Sequence, residues 1–164
     1  MTQFLPRSQS TAIPVAAIAI AVMTAVAPAI AAAQSADAAL GARKGQFRVM
    51  ALNVGILGGM ARGNIEYDAE RATIAAQNLA AIGTLDQSFN WPEGTDNATI
   101  ENTRALPAIW EDTGAFLAAW SDYGTAAAAI VDAVGSGPEA LGPALGQVGG
   151  TCNSCHDDFR ASNR

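Results

Sequence analysis

The only two cysteines of this chain and its only histidine fall within five consecutive residues, Cys152-Asn153-Ser154-Cys155-His156. Residues three and four apart on an α-helix share a face, so on a helix two thiols and an imidazole point the same way. The rest of the chain must then fold around whatever those three groups hold. A structural zinc site closes a tetrahedron of nitrogen or sulfur ligands, and two cysteines with one histidine fall one short.

Cys-x-x-Cys-His is the spacing of c-type haem attachment. Cys152 and Cys155 can bond the two vinyl groups of one haem c through thioethers, while His156 reaches the iron from below. A thioredoxin-like redox pair would need a βαβ setting, which the chain lacks. A plain disulfide in an exported helical bundle would leave His156 unexplained, and the colour of the protein separates the two. With no second histidine, bis-histidine ligation is excluded. The sixth ligand is then a methionine, a weak ligand or nothing, and Met50 and Met60 are the candidates after the leader.

The N-terminus carries Arg7, then an apolar stretch from Ala12 to Ala33 that ends in Ala31-Ala32-Ala33 before Gln34, with Pro28 just upstream. This is the layout of a secretory signal peptide. Residues 1–33 are expected to be cleaved, leaving a domain at 34–164 in the periplasm with no stable membrane insertion. Net charge is −6, with the acidic residues scattered and no basic stripe. Nucleic acid is therefore not an expected partner, and a mildly acidic surface suits a basic one.

Four amphipathic helices are predicted and no strand. The first runs from about Asp37 to Met60, with Leu40, Phe47, Met50, Val54 and Leu57 in one apolar stripe. Gly45, Gly55, Gly58 and Gly59 weaken its propensity. The second starts at the N-cap Asp68 and runs through Ile74, Leu79 and Ile82 to about Gly83. Asn90-Trp91-Pro92-Glu93-Gly94 then marks a turn. The third spans about Thr103 to Val134, its seam passing through Leu106, Trp110, Thr113, Leu117, Trp120, Gly124, Ala127, Val131 and Val134. The fourth runs from about Pro143 to Ala161, residues 138–142 forming an earlier turn of it. The expected fold is all-α, an antiparallel up-down-up-down four-helix bundle with haem in its core.

Several separated pieces carry a resemblance. Arg43, Phe47 and Met50 complete an Arg-x-x-x-hydrophobic-x-x-Met pattern. Tyr67-Asp68-Ala69 matches the start of the second helix, and Pro107-Ala108-Ile109-Trp110-Glu111-Asp112 resembles a Pro-Glu-Ile-Trp run. Gly149, Cys152, Cys155, His156, Asp157 and Arg160 lie on the last. Together they resemble the cytochrome c′ family, the high-spin branch of the class II cytochromes c, over essentially all of residues 37–164. The resemblance implies a homodimeric four-helix bundle. It implies that Phe47 closes the distal side of a five-coordinate, high-spin iron. The low-spin relatives place an iron-binding methionine at that position. It also implies that Arg43 lies near the haem propionates and that Arg160 lines the proximal side. From the residues alone, Phe47 also reads as a core aromatic, Arg43 as a solvated arginine, and Arg160 as a last-turn arginine favoured by the helix dipole. Pro143 and the many glycines depart from the family pattern.

The function expected is a cytochrome that binds small diatomic gases (NO, CO), transfers electrons to redox partner proteins, or both. The alternative is a low-spin electron carrier with a methionine sixth ligand. Peroxidase-type chemistry would want a polar distal acid or base. Phe47 supplies none, so no catalytic residue is expected. Replacing both cysteines, Cys152→Ala with Cys155→Ala, is expected to abolish covalent haem. Acid-acetone extraction checks this, since haem that stays with the protein would contradict the attachment.

Overall fold

The computed structural model describes the backbone of residues 16–162 and the side chains of residues 36–162. The expected signal peptide at 1–33 therefore lies outside the residues whose side chains are described. Among the described residues there are five helices: α1 (Ala16–Ala61), α2 (Ala69–Gly83), α3 (Ala108–Glu111), α4 (Thr113–Gly135) and α5 (Pro138–Phe159). Residues from Ala36 onward form one unit, to which everything below applies. The four long helices form the expected all-α four-helix bundle. Among the described residues, β-pairing is limited to one antiparallel bridge, Ala105 to Arg160.

α1 includes the whole stretch expected from about Asp37 to Met60. Its end at Ala61 agrees with the glycine-weakened end of the stripe. α2 is capped as expected: Asp68 Oδ1 accepts from the backbone N–H groups of Glu70 and Arg71, each at 3.0 Å. Its buried face differs from expectation. Ala72, Ala75, Ala76 and Leu79 are buried, whereas Ile74 is exposed. Small residues let α2 lie close against α4, and that close approach decides which face turns inward.

The helix expected from Thr103 is divided. Residues 103–106 lie outside any helix and pair with the chain that leaves α5, through Leu106 N–H to Phe159 O (3.0 Å) and Ala161 N–H to Arg104 O (2.8 Å). Pro107 disfavours helix before it and sits at the N-cap of the one-turn α3. Asp112 then breaks the chain at φ −135°, ψ 73° and caps α4 by accepting from Ala115 N–H. An aspartate so placed satisfies the free N–H groups of a new helix better than it continues an old one. The break shifts the seam. Phe116, Trp120, Tyr123, Ala127, Ile130 and Val134 are buried, while Leu117 is exposed.

α5 begins at Pro138, so residues 138–142 form the earlier turn expected ahead of Pro143. Gly137 precedes it at φ +99°, a conformation open to glycine and strained for other residues. Pro143 lies inside the helix, where it forgoes one backbone hydrogen bond. The helix stops at Phe159, two residues before the expected end.

Two apolar clusters result. The larger joins α1 (Met50, Leu57, Met60) to α2, α4 and α5. Tyr67 donates to Val134 O (2.7 Å) and Tyr123 to Leu79 O (3.0 Å), stitching α4 to α2 and to the segment before it. The smaller cluster holds Ala105, Ile109, Phe116 and Phe159, with Trp91 and Trp110 against it.

The α2–α4 crossing is closed by two glycines. A Cβ on Gly83 would lie 2.7 Å from Gly124 Cα, and one on Gly124 would lie 3.0 Å from Gly83 O. Gly83→Ala is therefore expected to destabilise the protein by about 1–3 kcal/mol, as overpacking does. Gly146→Ala, where nothing lies within 4 Å, is expected to stabilise α5 by roughly 0.5–1 kcal/mol. Denaturant unfolding of the two variants checks the opposite signs.

Candidate cofactor site

Cys152, Cys155 and His156 lie half-buried in the last turns of α5, on one face as their spacing requires. Cys152 packs against the larger apolar cluster and Cys155 against the smaller. The pair thus straddles the junction between them. Both thiols are free. Burial pushes both thiols up, with Cys155 raised to about 11 by burial, then by Cys152 and Asp158, so both are neutral at ordinary pH. Burial also lowers the His156 pKa. Arg104 acts in the same direction and Asp157 against it. A neutral imidazole keeps a lone pair free for a metal.

These three residues line a cavity of about 630 Å³. Arg43, Phe47 and Arg160 line it too, so all six residues singled out from the sequence meet at one place. Phe47 stands edge-on to Trp91 (ring centroids 6.5 Å apart) and to Trp120 (6.2 Å). It remains 37% exposed, so it forms wall rather than sealed core. Met50, one turn on, is buried and also lines the cavity. The Trp120 indole N–H is buried with no hydrogen-bond partner among the described residues.

Arg43 is only 2% exposed, which rules out the solvated-arginine reading. Its guanidinium donates to Thr95 Oγ1 (2.8 Å), to Thr95 O and to Thr103 Oγ1 (3.0 Å). It also stacks 4.7 Å from the centre of the Trp91 ring. Burial lowers its pKa and Asp96 opposes this, but a guanidinium remains charged. A guanidinium carries five N–H donors. Three are used in the bonds above, which leaves Nε–H and one N–H of Nη1.

Arg160 departs from expectation in its backbone. It is the extended C-cap of α5 (φ −131°, ψ 124°) and pairs with Ala105, so it is not a last-turn helical arginine. Trp91 and Arg104 are among the cavity residues not singled out from the sequence. Trp91 was legible only as part of a turn, yet Gln87 Oε1 accepts its indole N–H at 3.2 Å, and its own carbonyl accepts from Trp110 Nε1 at 3.0 Å. Arg104 was hidden inside a helix that does not form there.

The residues present fit a c-type haem. Two neutral thiols and an imidazole share one face of a largely apolar cavity, with a buried arginine holding spare donors at its wall. The volume lies within the roughly 300–1,000 Å³ of small-ligand and cofactor sites.

Known proteins match this arrangement. A family model described as Cytochrome C′ covers residues 38–160. The cytochrome c′ of Cereibacter sphaeroides is 41% identical over 143 residues, 87% of this chain and 96% of that protein. A solved cytochrome c′ from Rhodobacter sphaeroides superposes with a TM-score of 0.75 at 41% identity, over 78% of this chain and 98% of the other. The nitric oxide complex of a variant cytochrome c′ from Alcaligenes xylosoxidans superposes with a TM-score of 0.67 at 25% identity, over 77% and 97%.

Arg43→Ala leaves Thr95 O without its donor, leaves Thr103 Oγ1 with only the Ala105 N–H, and opens a gap under Trp91. It is expected to cost roughly 2–4 kcal/mol and to speed amide exchange across residues 84–107. Arg43→Lys should restore little of either, because an ammonium lacks the planar fork. Hydrogen exchange and denaturant unfolding of the two variants measure both effects.

Proposed function

The chain belongs to the cytochrome c′ family, and on that premise we propose that it is an exported, periplasmic cytochrome whose single haem is held by Cys152, Cys155 and His156 and whose sixth iron position is left to small diatomic gases. The observation that carries this reading is the wall opposite the thiols and imidazole. There the side chain at the position implied to face the iron is Phe47, which cannot ligate it. Once bound, a haem supplies an iron that binds a diatomic gas and changes oxidation state by one electron.

The chain's own residues then have distinct tasks. Cys152 and Cys155 anchor the group through thioethers, and His156 offers its neutral imidazole to the metal. Arg43 keeps two spare N–H groups, on Nε and Nη1, either of which can make a charge-assisted hydrogen bond to a propionate. Phe47, between Trp91 and Trp120, limits access by steric bulk and leaves the distal wall without an acid or base. The same haem can pass single electrons to redox partner proteins. Residues 1–33 are read as the signal peptide and 34–164 as the haem domain. The exposed Val49 and Leu52 on α1 support a homodimer.

Met50 favours a second reading. It is the one methionine among the residues lining the cavity, and as sixth ligand it would make a low-spin electron carrier. Absorption spectra of the matured protein, ferric and ferrous, with and without carbon monoxide or nitric oxide, separate the two. The proposal expects a high-spin spectrum that shifts with gas. A low-spin spectrum indifferent to carbon monoxide, restored to high spin by Met50→Leu, would establish the second reading. Phe47→Ala should speed carbon monoxide binding roughly tenfold or more, since each ~1.4 kcal/mol off a barrier is a factor of ten. Unchanged stopped-flow kinetics would remove Phe47 from the entry path.

A further inference from the structure

Five of the chain's nine lysines and arginines line the thiol-bearing cavity, and no aspartate or glutamate lines it. The chain as a whole carries −6, so the fold has separated its charge. The cations come from three stretches: Arg43, Lys44 and Arg48 from α1, Arg104 from the non-helical 103–106 segment, and Arg160 from the end of α5. The last two are brought together by the backbone pairing of residues 104–106 with 159–161. Arg43 is internal, but Arg48 and Arg160 are exposed and Lys44 and Arg104 half-buried, so these four form a rim open to solvent. The carboxylates that act on this region are Asp96, Asp157 and Asp158. Asp157 and Asp158 follow His156 directly, and the helical repeat turns them off the lining face.

On the haem reading above, two propionates enter this site. Asp96 already offsets the internal Arg43, and two propionates cannot neutralise the four cations of the rim. The geometry points to a docking surface for an acidic protein: an electron-transfer partner that presents clustered carboxylates to Lys44, Arg48, Arg104 and Arg160. This reverses what the net charge suggests. Salt screens exposed charges beyond about 10 Å, so the rim, not the total, sets the field a partner meets at contact. In the step so guided, one electron leaves the ferrous protein for the partner's oxidised centre, with no bond made and no proton moved.

The test is stopped-flow oxidation of the ferrous holoprotein by hexacyanoferrate(III), which is reduced to hexacyanoferrate(II), and by the cationic tris(phenanthroline)cobalt(III). With the rim in control, the rate with the anion falls roughly three- to tenfold between about 10 and 300 mM ionic strength, while the rate with the cation does not fall. Lys44→Glu with Arg48→Glu, outside the haem-holding set, reverses the anion's slope and leaves the absorption spectrum unchanged. An anion rate that rises with salt in the unaltered protein, or a slope the double variant leaves as it was, would overturn the assignment. Redox-inert hexacyanochromate(III) gives a second readout that needs no haem: it should broaden amide resonances around Lys44, Arg48, Arg104 and Arg160. A colourless protein that still shows this broadening would sink the haem reading and keep the rim; broadening elsewhere would sink the rim. A ten-residue glutamate peptide should displace the chromium complex where inorganic phosphate at the same concentration does not. Equal displacement by phosphate would mark a small-anion site and overturn protein docking.

Discussion

The buried guanidinium of Arg43 joins parts of the chain that have little other reason to meet. It rises from α1 and takes hold of Thr95 and Thr103, at two points of the long connection between α2 and α3. Stranding a charge inside a protein is costly unless every near neighbour answers it, and here the loop is what answers. The loop in turn sets Trp91 against the guanidinium and edge-on to Phe47 and Phe116. Removing the arginine would release an aromatic wall as well as a salt-like contact. The same group that orders the loop is the one that offers donors to the cavity, so stability and cofactor binding draw on one side chain.

The opposite wall depends on where α5 sits. Its thiols lie at the seam between two apolar clusters, one built by the bundle and the other by the loop, α3 and the chain end. A cofactor held there would touch both. The short pairing between residues 104–106 and 159–161 fixes the lower cluster and carries two arginines with it. Backbone hydrogen bonds, not side-chain attraction, thus bring the segments that carry Arg104 and Arg160 to one cavity.

Much of this was legible in the sequence where the signal is local. The Cys-x-x-Cys-His spacing, the Asp68 cap and the 3.6-residue stripes are written in neighbouring residues, and the bundle follows from them. The six site residues also converge as the family pattern implies. What the sequence hid is what tertiary contact decides. The periodicity through Thr103–Val134 looked unbroken because Leu106 and Trp110 fit a helical repeat. Yet Pro107 and Asp112 each favour a boundary, and the pairing with α5 makes breaking there worthwhile. Arg104 was lost with that misreading. The inward face of α2 was misjudged because alanine carries little hydropathy signal, although small size was the property the crossing needed. The cationic rim drew no notice because its members lie far apart in sequence and only the fold assembles them.

The contact between Gly83 and Gly124 has a consequence for how this architecture can vary. With backbone against backbone, α2 and α4 behave as a fixed hinge plate whose thickness has already reached its minimum. No mutation can narrow it further, and enlarging either glycine forces the plate apart. Any adjustment in the room available beside α5 must therefore come from the other leaf, α1 and the loop it anchors. Diversity in this scaffold should accumulate around Phe47 and Trp91, and the two glycines should resist change unless both helices move together.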